Sequence, residues 1–221
     1  MSIHISPSIL GADFYCLKEC IKETESAGAD SIHFDIMDRH FVPNLSFGPM
    51  LLKHLRPHTN LPFKVHLMTE NPDLYIDECI EYGASLITVH KEACIHLHRT
   101  LGYIKQKGAK AGIAVNPSTG ISFLPYVADM IDELLVMTVN PGFSGQKTIP
   151  LVLNKIDEAY LKAKELGIHI SINVDGGMDI NTSRQAIAKG ADSIVMASAF
   201  YSIENKKSII EEIKSMPIRK P

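Results

Sequence analysis

A single (β/α)8 barrel is the fold that this 221-residue sequence predicts. Three observations lead there. The dipeptide Gly-Ala recurs immediately before short apolar runs, at residues 28, 83, 108 and 190. Its intervals lie close to two, one and three multiples of a unit of roughly 27 residues, and a chain of this length holds about eight such units. The runs themselves are short and nearly continuous in apolar character, as parallel strands covered on both faces should be.

Each unit reads as helix, glycine stop, buried strand, because glycine accepts the left-handed backbone that ends many helices. The predicted strands are, in order, 3–9, 31–37, 63–68, 86–90, 110–115, 134–139, 169–174 and 193–197. Helical patterns fall between them at 13–27, 73–82, 95–107 and 151–166, with Asp13 and Asp73 placed to cap or charge-stabilise helix N-termini. No low-complexity segment or linker interrupts the series, so residues 1–221 read as one domain. The competing fold is a doubly wound open sheet. It would show Gly-x-Gly-x-x-Gly after the first strand, and Ser8-Ile9-Leu10-Gly11-Ala12-Asp13 is not that motif.

Bulk properties exclude several classes. An apolar fraction of 45% and a charged fraction of 21% are those of an ordinary globular protein. A formal net charge of -3 leaves no basic face to displace counterions from nucleic acid. No run approaches the length of a membrane span, and the N-terminus carries no basic segment followed by an apolar stretch, so no signal peptide is expected. Cys16, Cys20, Cys79 and Cys94 form no C-x-x-C pair and read as reduced, mostly buried thiols of a cytoplasmic protein.

Chemistry in such a barrel collects at the C-terminal strand ends. Alternation puts His33 and Asp35 on one side of their strand, and likewise Lys64 and His66. His-x-Asp alone is equally the mark of a hydrogen-bonded core pair. Three strand ends bearing His33, Asp35, His66 and Asp175 in one frame point further, to a mixed nitrogen and oxygen site suited to zinc, iron, manganese or cobalt rather than calcium. Two carboxylates around a divalent ion are equipment for moving a proton beside a carbonyl.

A phosphate signal stands apart from this. Loops rich in small residues follow the last three strands: Gly142-Phe143-Ser144-Gly145, then Gly176-Gly177, then Ala197-Ser198. Any one of these glycines is by itself a turn residue. Together, on consecutive strands, their backbone N–H groups would line an anion cradle.

These residues resemble the ribulose-phosphate 3-epimerase family. The likeness runs through Ser6-Pro7-Ser8-Ile9-Leu10, Asp35-Ile36-Met37-Asp38, His40-Phe41-Val42-Pro43-Asn44, Phe47-Gly48-Pro49, His66-Leu67-Met68, Asn116-Pro117, residues 137–143 and Val174-Asp175-Gly176-Gly177. It implies a TIM barrel of the ribulose-phosphate-binding type, with His33, Asp35, His66 and Asp175 as metal ligands and Asp35 and Asp175 as the proton-transfer pair. It also implies that Ser8 and His66 touch the substrate, that Met37, Met68 and Met137 cap it, and that the three loops hold its phosphate. Methionine is otherwise ordinary core filler. The implied activity is an isomerase of the pentose phosphate pathway, interconverting D-ribulose 5-phosphate and D-xylulose 5-phosphate. The expected partner is a small sugar phosphate, and the expected assembly is a homo-oligomer.

The pattern departs from the family at four places. Arg39 and Ala197 stand where glycine is usual, so the backbone angles at 39 are in question and the cradle at 197 is narrowed by a methyl. Lys64 replaces a common Asp, and a cation there should weaken metal binding unless an acid pairs with it. Asn173 replaces a frequent Glu in the same layer. These departures keep two rivals open: 3-epimerisation of a hexulose phosphate such as allulose 6-phosphate, and a non-catalytic phosphosugar-binding paralogue. The related decarboxylases of orotidine type and hexulose-phosphate synthases are disfavoured, because Asp-x-Lys-x-x-Asp is absent around Lys64. His90 is expected either to line the mouth or to be a satisfied barrel histidine. His54, His58, His96 and His98 are expected to be solvated, as is the basic tail from Lys214 to Lys220.

Overall fold

The computed structural model describes residues 2–219, and in it eight parallel strands form one sheet in the order β1-β8-β7-β6-β5-β4-β3-β2. They are β1 (His4–Pro7), β2 (Ile32–Met37), β3 (Phe63–Met68), β4 (Ala84–His90), β5 (Lys110–Val115), β6 (Glu133–Met137), β7 (Ser171–Asp175) and β8 (Ser193–Met196). That is chain order wrapped round on itself. The seam between β1 and β2 is bridged by Ser8 and His33. Asp30 laces it as well: its N–H donates to Ile5 O (2.9 Å), and its carboxylate accepts from the Ile5 N–H (2.8 Å).

Eight α-helices accompany the strands among the described residues: α1 (Leu17–Ser26), α2 (Met50–Leu55), α3 (Ile76–Glu81), α4 (Leu97–Gln106), α5 (Leu153–Leu166), α6 (Ile180–Lys189), α7 (Ser198–Tyr201) and α8 (Lys206–Lys214). Between β5 and β6 the repeat is broken, and a 3-10 turn, Leu124–Tyr126, stands in for a helix. Pro117, Gly120 and Pro125 in that stretch explain why no longer helix forms. The four glycines of the Gly-Ala repeat all adopt left-handed φ, between 89° and 115°, as the helix-stop reading requires.

Several boundaries differ from the sequence-based expectation for local reasons. The first strand ends at Pro7, because the Ser8 hydroxyl accepts from the Leu10 N–H and starts the 3-10 turn Ile9–Gly11. Asp13 does cap, but it caps a 3-10 turn, Phe14–Cys16, ahead of α1. Asp73 does not cap but sits as the acid in the first turn of the 3-10 turn Pro72–Leu74; its carboxylate accepts from the Thr100 hydroxyl (2.9 Å), and α3 begins at Ile76 without a side-chain cap. The tail is not merely solvated. Lys214 bonds Asp30 and the Gly28 carbonyl, both at 2.8 Å, and Arg219 pairs with Asp157 while stacking over Tyr160. Lys220 lies outside the described residues. His54, His58, His96 and His98 are exposed as expected.

Apolar residues such as Ile5, Phe34, Val65, Ile113 and Val174 form one cluster with the helices. The buried polar side chains on the strands are a different set: Ser6, His33, Asp35, Lys64, His66, Thr88, His90, Glu133, Asn173 and Ser193. They need partners, since a buried charge without one is costly. Lys64 finds its partner in Glu133 of β6, the acid that sequence reading missed, and also reaches Ser193 Oγ at 3.4 Å. The second Glu133 oxygen accepts from Asn173 Nδ2 (3.1 Å). The two departures at 64 and 173 thus belong to one closed network.

Removing one charge of that network isolates the other. Glu133→Gln should lower unfolding free energy by about 3–5 kcal/mol, because Lys64 is left buried and unpaired. Urea unfolding would show a lower midpoint at similar slope. A loss below about 1 kcal/mol would mean Lys64 reaches water by another route.

Candidate functional site

The strand register assembles the site. Asp35 of β2 is paired with His66 of β3, Met37 with Met68, and Met137 of β6 with Asp175 of β7. His33 joins through its bridge to Ser8. One ligand atom from each of His33, Asp35, His66 and Asp175 lies within 4.8 Å of all the others. Asp35 Oδ1 is 3.2 Å from His33 Nε2 and 3.1 Å from His66 Nδ1, while Asp175 Oδ2 is 3.7 and 3.8 Å from the same nitrogens. Donors sharing one transition-metal ion at about 2.1 Å stand roughly 3.0–3.5 Å apart, so the two imidazoles and two carboxylates fit a divalent ion with little adjustment. Buried residues of this kind, gathered from three strands, could hold a metal.

The electrostatics of the four groups are uneven. Burial would raise Asp35, but the charge of His33, its hydrogen bond and the neighbouring His66 imidazole outweigh it and hold the group well below the usual carboxylate range. Asp175 is pushed up to about 7, by burial first and then by the neighbouring Asp35 charge. Burial lowers His33, yet Asp35 and Asp175 leave it raised overall. His66 is lowered to about 4, chiefly by burial, and burial also lowers His90. Two carboxylates in one cluster are thereby set apart in acidity by their surroundings.

Asp35 is further fixed by Ser8, whose hydroxyl donates to Oδ2. Ser46, another residue that sequence reading missed, donates to the Asp35 carbonyl and accepts from the Met37 N–H (3.0 Å), holding the end of β2. The Asp175 side chain is more open than that of Asp35, 14% against 5% exposed, so Asp175 faces the mouth more directly.

Above the cluster opens a cavity of about 200 Å³. Asp35, Asp175, Met37, Met68 and Met137 line it, together with Gly142, Phe143, Ser144, Gly145, Gly176, Gly177, Ala197 and Ser198. Every cradle residue named from the sequence is therefore at one mouth. His33, His66 and Ser8 sit beneath it and do not line it. Leu10, Val139, Gln146 and Asp179 also line it, and of these only Asp179 lies outside the segments singled out from the sequence. Gln146 Nε2 donates to the carbonyls of Asn140 (2.7 Å) and Phe143 (3.0 Å), and Asn44 Nδ2 to that of Gly142 (2.8 Å), so the β6 loop is braced on both sides. Hydroxyls of Thr138 and Thr148 both donate to the Gly176 carbonyl, tying the β6 and β7 loops together.

The remaining departures resolve individually. Arg39 adopts φ 62° and is the only described non-glycine residue with positive φ, so the glycine-type backbone persists without glycine. Its N–H still donates to the Asn44 carbonyl (3.1 Å). Ala197 has φ −108° and needs no left-handed conformation. His90 does not line the mouth; it is fully buried, with Nε2 2.9 Å from His66 Nε2.

Close packing of the loops makes Gly177 demanding. It has φ 64°, and a Cβ there would sit 2.6 Å from the Thr148 backbone nitrogen. Gly177→Ala is expected to cost on the order of 1–3 kcal/mol of stability through backbone strain and collision. A melting temperature within 1 °C or so of the parent would show that the loop yields freely.

The chain matches the model of the "Ribulose-phosphate 3 epimerase family" over residues 4–201. It is 48% identical over 213 residues to the ribulose-phosphate 3-epimerase of Bacillus subtilis (strain 168), covering 96% of this chain and 98% of the relative. To the Escherichia coli (strain K12) enzyme of that name it is 46% identical, covering 96% and 94%. To the chloroplastic ribulose-5-phosphate-3-epimerase of Arabidopsis thaliana it is 43% identical, covering 96% and 76%. Among solved structures, a mutant tryptophan synthase alpha-subunit from Pyrococcus furiosus superposes with TM-score 0.67 at 15% identity, covering 97% of each chain, a likeness of fold alone. The family match over nearly the whole chain and the relatives near half-identical to it agree with the strand-end cluster, and this chain belongs to the ribulose-phosphate 3-epimerase family.

Proposed function

We propose that this protein is a metal-dependent 3-epimerase that interconverts D-ribulose 5-phosphate and D-xylulose 5-phosphate, a step of the pentose phosphate pathway. The observation that carries the reading is the convergence of Asp35 and Asp175, from strands three places apart around the barrel, on one pair of imidazoles. Inverting a carbon centre needs a proton removed from one face and another delivered to the opposite face. Two carboxylates reaching the cluster from different walls meet that need.

His33, Asp35, His66 and Asp175 would hold the ion, and their donor set suits zinc, iron, manganese or cobalt. A divalent ion so held would supply Lewis-acid polarisation of a carbonyl and offset developing negative charge beside it. Ser8 keeps the Asp35 carboxylate turned toward the cluster. Met37, Met68 and Met137, each nearly buried, give the reacting carbon an apolar bed that excludes water. Backbone N–H groups of the loops at 142–145, 176–177 and 197–198 would take the phosphate, fixing the distance between it and the carbonyl. The four cysteines are free, which suits a reducing cytoplasm. No helix among the described residues is long and apolar enough to cross a membrane.

Asp35→Asn and Asp175→Asn should each lower kcat by about 10²–10⁴-fold while the protein stays folded. In deuterated water the metal-loaded wild type should incorporate deuterium at C3 of either ketopentose phosphate. Binding of the sugar phosphate without any exchange would leave a binding protein and remove the epimerase. Chelation should abolish turnover, and one of the four named metals should restore it.

A further inference from the structure

Behind His66, on the side away from Asp35 and Asp175, a chain of polar groups continues out of the site. His66 Nε2 lies 2.9 Å from His90 Nε2, the two rings stacked with centroids 5.0 Å apart and planes 26° from parallel. His90 Nδ1 lies 3.2 Å from Glu92 Oε2. The other Glu92 oxygen accepts from the Asn116 backbone N–H (2.8 Å) and from the Thr119 hydroxyl. That loop is itself pinned, because Lys155 Nζ of α5 donates to the carbonyls of Asn116 (2.8 Å) and Pro117 (2.9 Å).

The proton count along this chain is short by one. Asp35, His66, His90 and Glu92 make three successive contacts, at 3.1, 2.9 and 3.2 Å. Two neutral imidazoles supply two N–H protons, and carboxylates supply none. One contact must therefore go without a proton. Were it the contact at Glu92, an imidazole lone pair would face a carboxylate held in place by two donors. Were it the middle contact, two ring lone pairs would oppose each other at 2.9 Å. Left bare at Asp35, by contrast, the chain presents the His66 Nδ1 lone pair toward the other three ligand atoms, where a cation satisfies it. His33 has no such support, for its Nδ1 is buried without a hydrogen-bond partner.

We infer that Glu92 and His90 are positioning residues for the metal site: the Glu92 carboxylate, acting through His90, fixes the His66 tautomer with Nε2 protonated and Nδ1 free to bind a divalent cation. This rests on the metal-dependent reading above. It adds to that reading two residues that touch neither the substrate nor the ion. Ligating histidines commonly hand their outer N–H to a carboxylate, with a 10–100-fold loss of metal affinity when that partner is removed. Here the carboxylate acts at one remove, through a second imidazole.

The test uses zinc as the probe and the full chain, in wild type, Glu92→Gln and Asp35→Asn. Zinc affinity is measured by competition with a chromophoric chelator, and ring tautomers by long-range ¹H–¹⁵N correlation. Glu92→Gln should bind zinc about 10–100-fold more weakly than wild type, with an unchanged far-ultraviolet dichroism spectrum. In zinc-loaded wild type, the proton should reside on His66 Nε2 and on His90 Nδ1. Wild-type affinity in Glu92→Gln, alongside loss of zinc in Asp35→Asn, would overturn the positioning role and leave the metal site standing. Retention of zinc by Asp35→Asn would instead strike at the metal reading itself. If Glu92→Gln fails to fold, the wild-type spectrum decides alone: a proton on His90 Nε2 rather than Nδ1 would overturn the inference.

Discussion

One donor atom from each of two aspartates and two imidazoles is crowded within 4.8 Å of the others inside a barrel packed by a large apolar cluster. Burying like charges that closely is unfavourable unless each is compensated. Much of the polar interior can be read as the compensation. Ser8 and His33 satisfy Asp35, His66 lies in contact beside it, and Ser46 fixes the strand end that carries it. Asp175 is left the more exposed, at the mouth, where its carboxyl is raised to about 7 by burial and by the Asp35 charge. A divalent cation is the complement such a cluster calls for, and its donor types match one.

The same demand shapes the layers around the cluster. One step toward the N-terminal strand ends, Lys64, Glu133, Asn173 and Ser193 form a hydrogen-bonded group that meets its own needs. Lys64 looks from the sequence like a threat to a metal. In the fold its charge is taken up by Glu133, so little of it is left to repel a cation. At the side, His66 leans on His90 and Glu92, while His33 has no counterpart at its outer nitrogen. The site is thus braced from one flank.

Toward solvent the constraint changes from charge to shape. The loops after β6 and β7 are bound to each other by Thr138 and Thr148, and the β6 loop to the β2 loop by Asn44. A rim stitched this way holds its backbone N–H groups in place before any ligand arrives, which lowers the entropy lost on binding. Arg39 shows how firmly the rim is determined. It keeps a left-handed backbone that glycine would adopt more readily, because its N–H is held by the Asn44 carbonyl across the turn.

The barrel was legible in the sequence because its signals are local and repeated. A glycine stop before an apolar run needs no distant partner to be recognised, and the four repeat glycines do carry left-handed φ. His33, Asp35, His66 and Asp175 were legible for a related reason: Asp35, His66 and Asp175 sit at or near C-terminal strand ends, which a barrel delivers to one place, and His33 shares a side with Asp35 two residues on. Helix starts were less so, since whether Asp73 caps or instead bonds Thr100 depends on a neighbour far along the chain. Glu133 and Glu92 were beyond reach in the same sense, whereas His90 already offered the reading of a satisfied barrel histidine that the fold bears out. Glu133 meets Lys64 across 69 residues, and Glu92, beside His90 in the chain, reaches the site only through the contact of His90 with His66 across 24 residues. Sequence alone therefore determined the strand count and the four side chains that gather as one cluster. Which buried charges neutralise one another, and which imidazole is propped by a distant carboxylate, was decided only by tertiary structure, because closing the barrel sets the distances between residues on different strands.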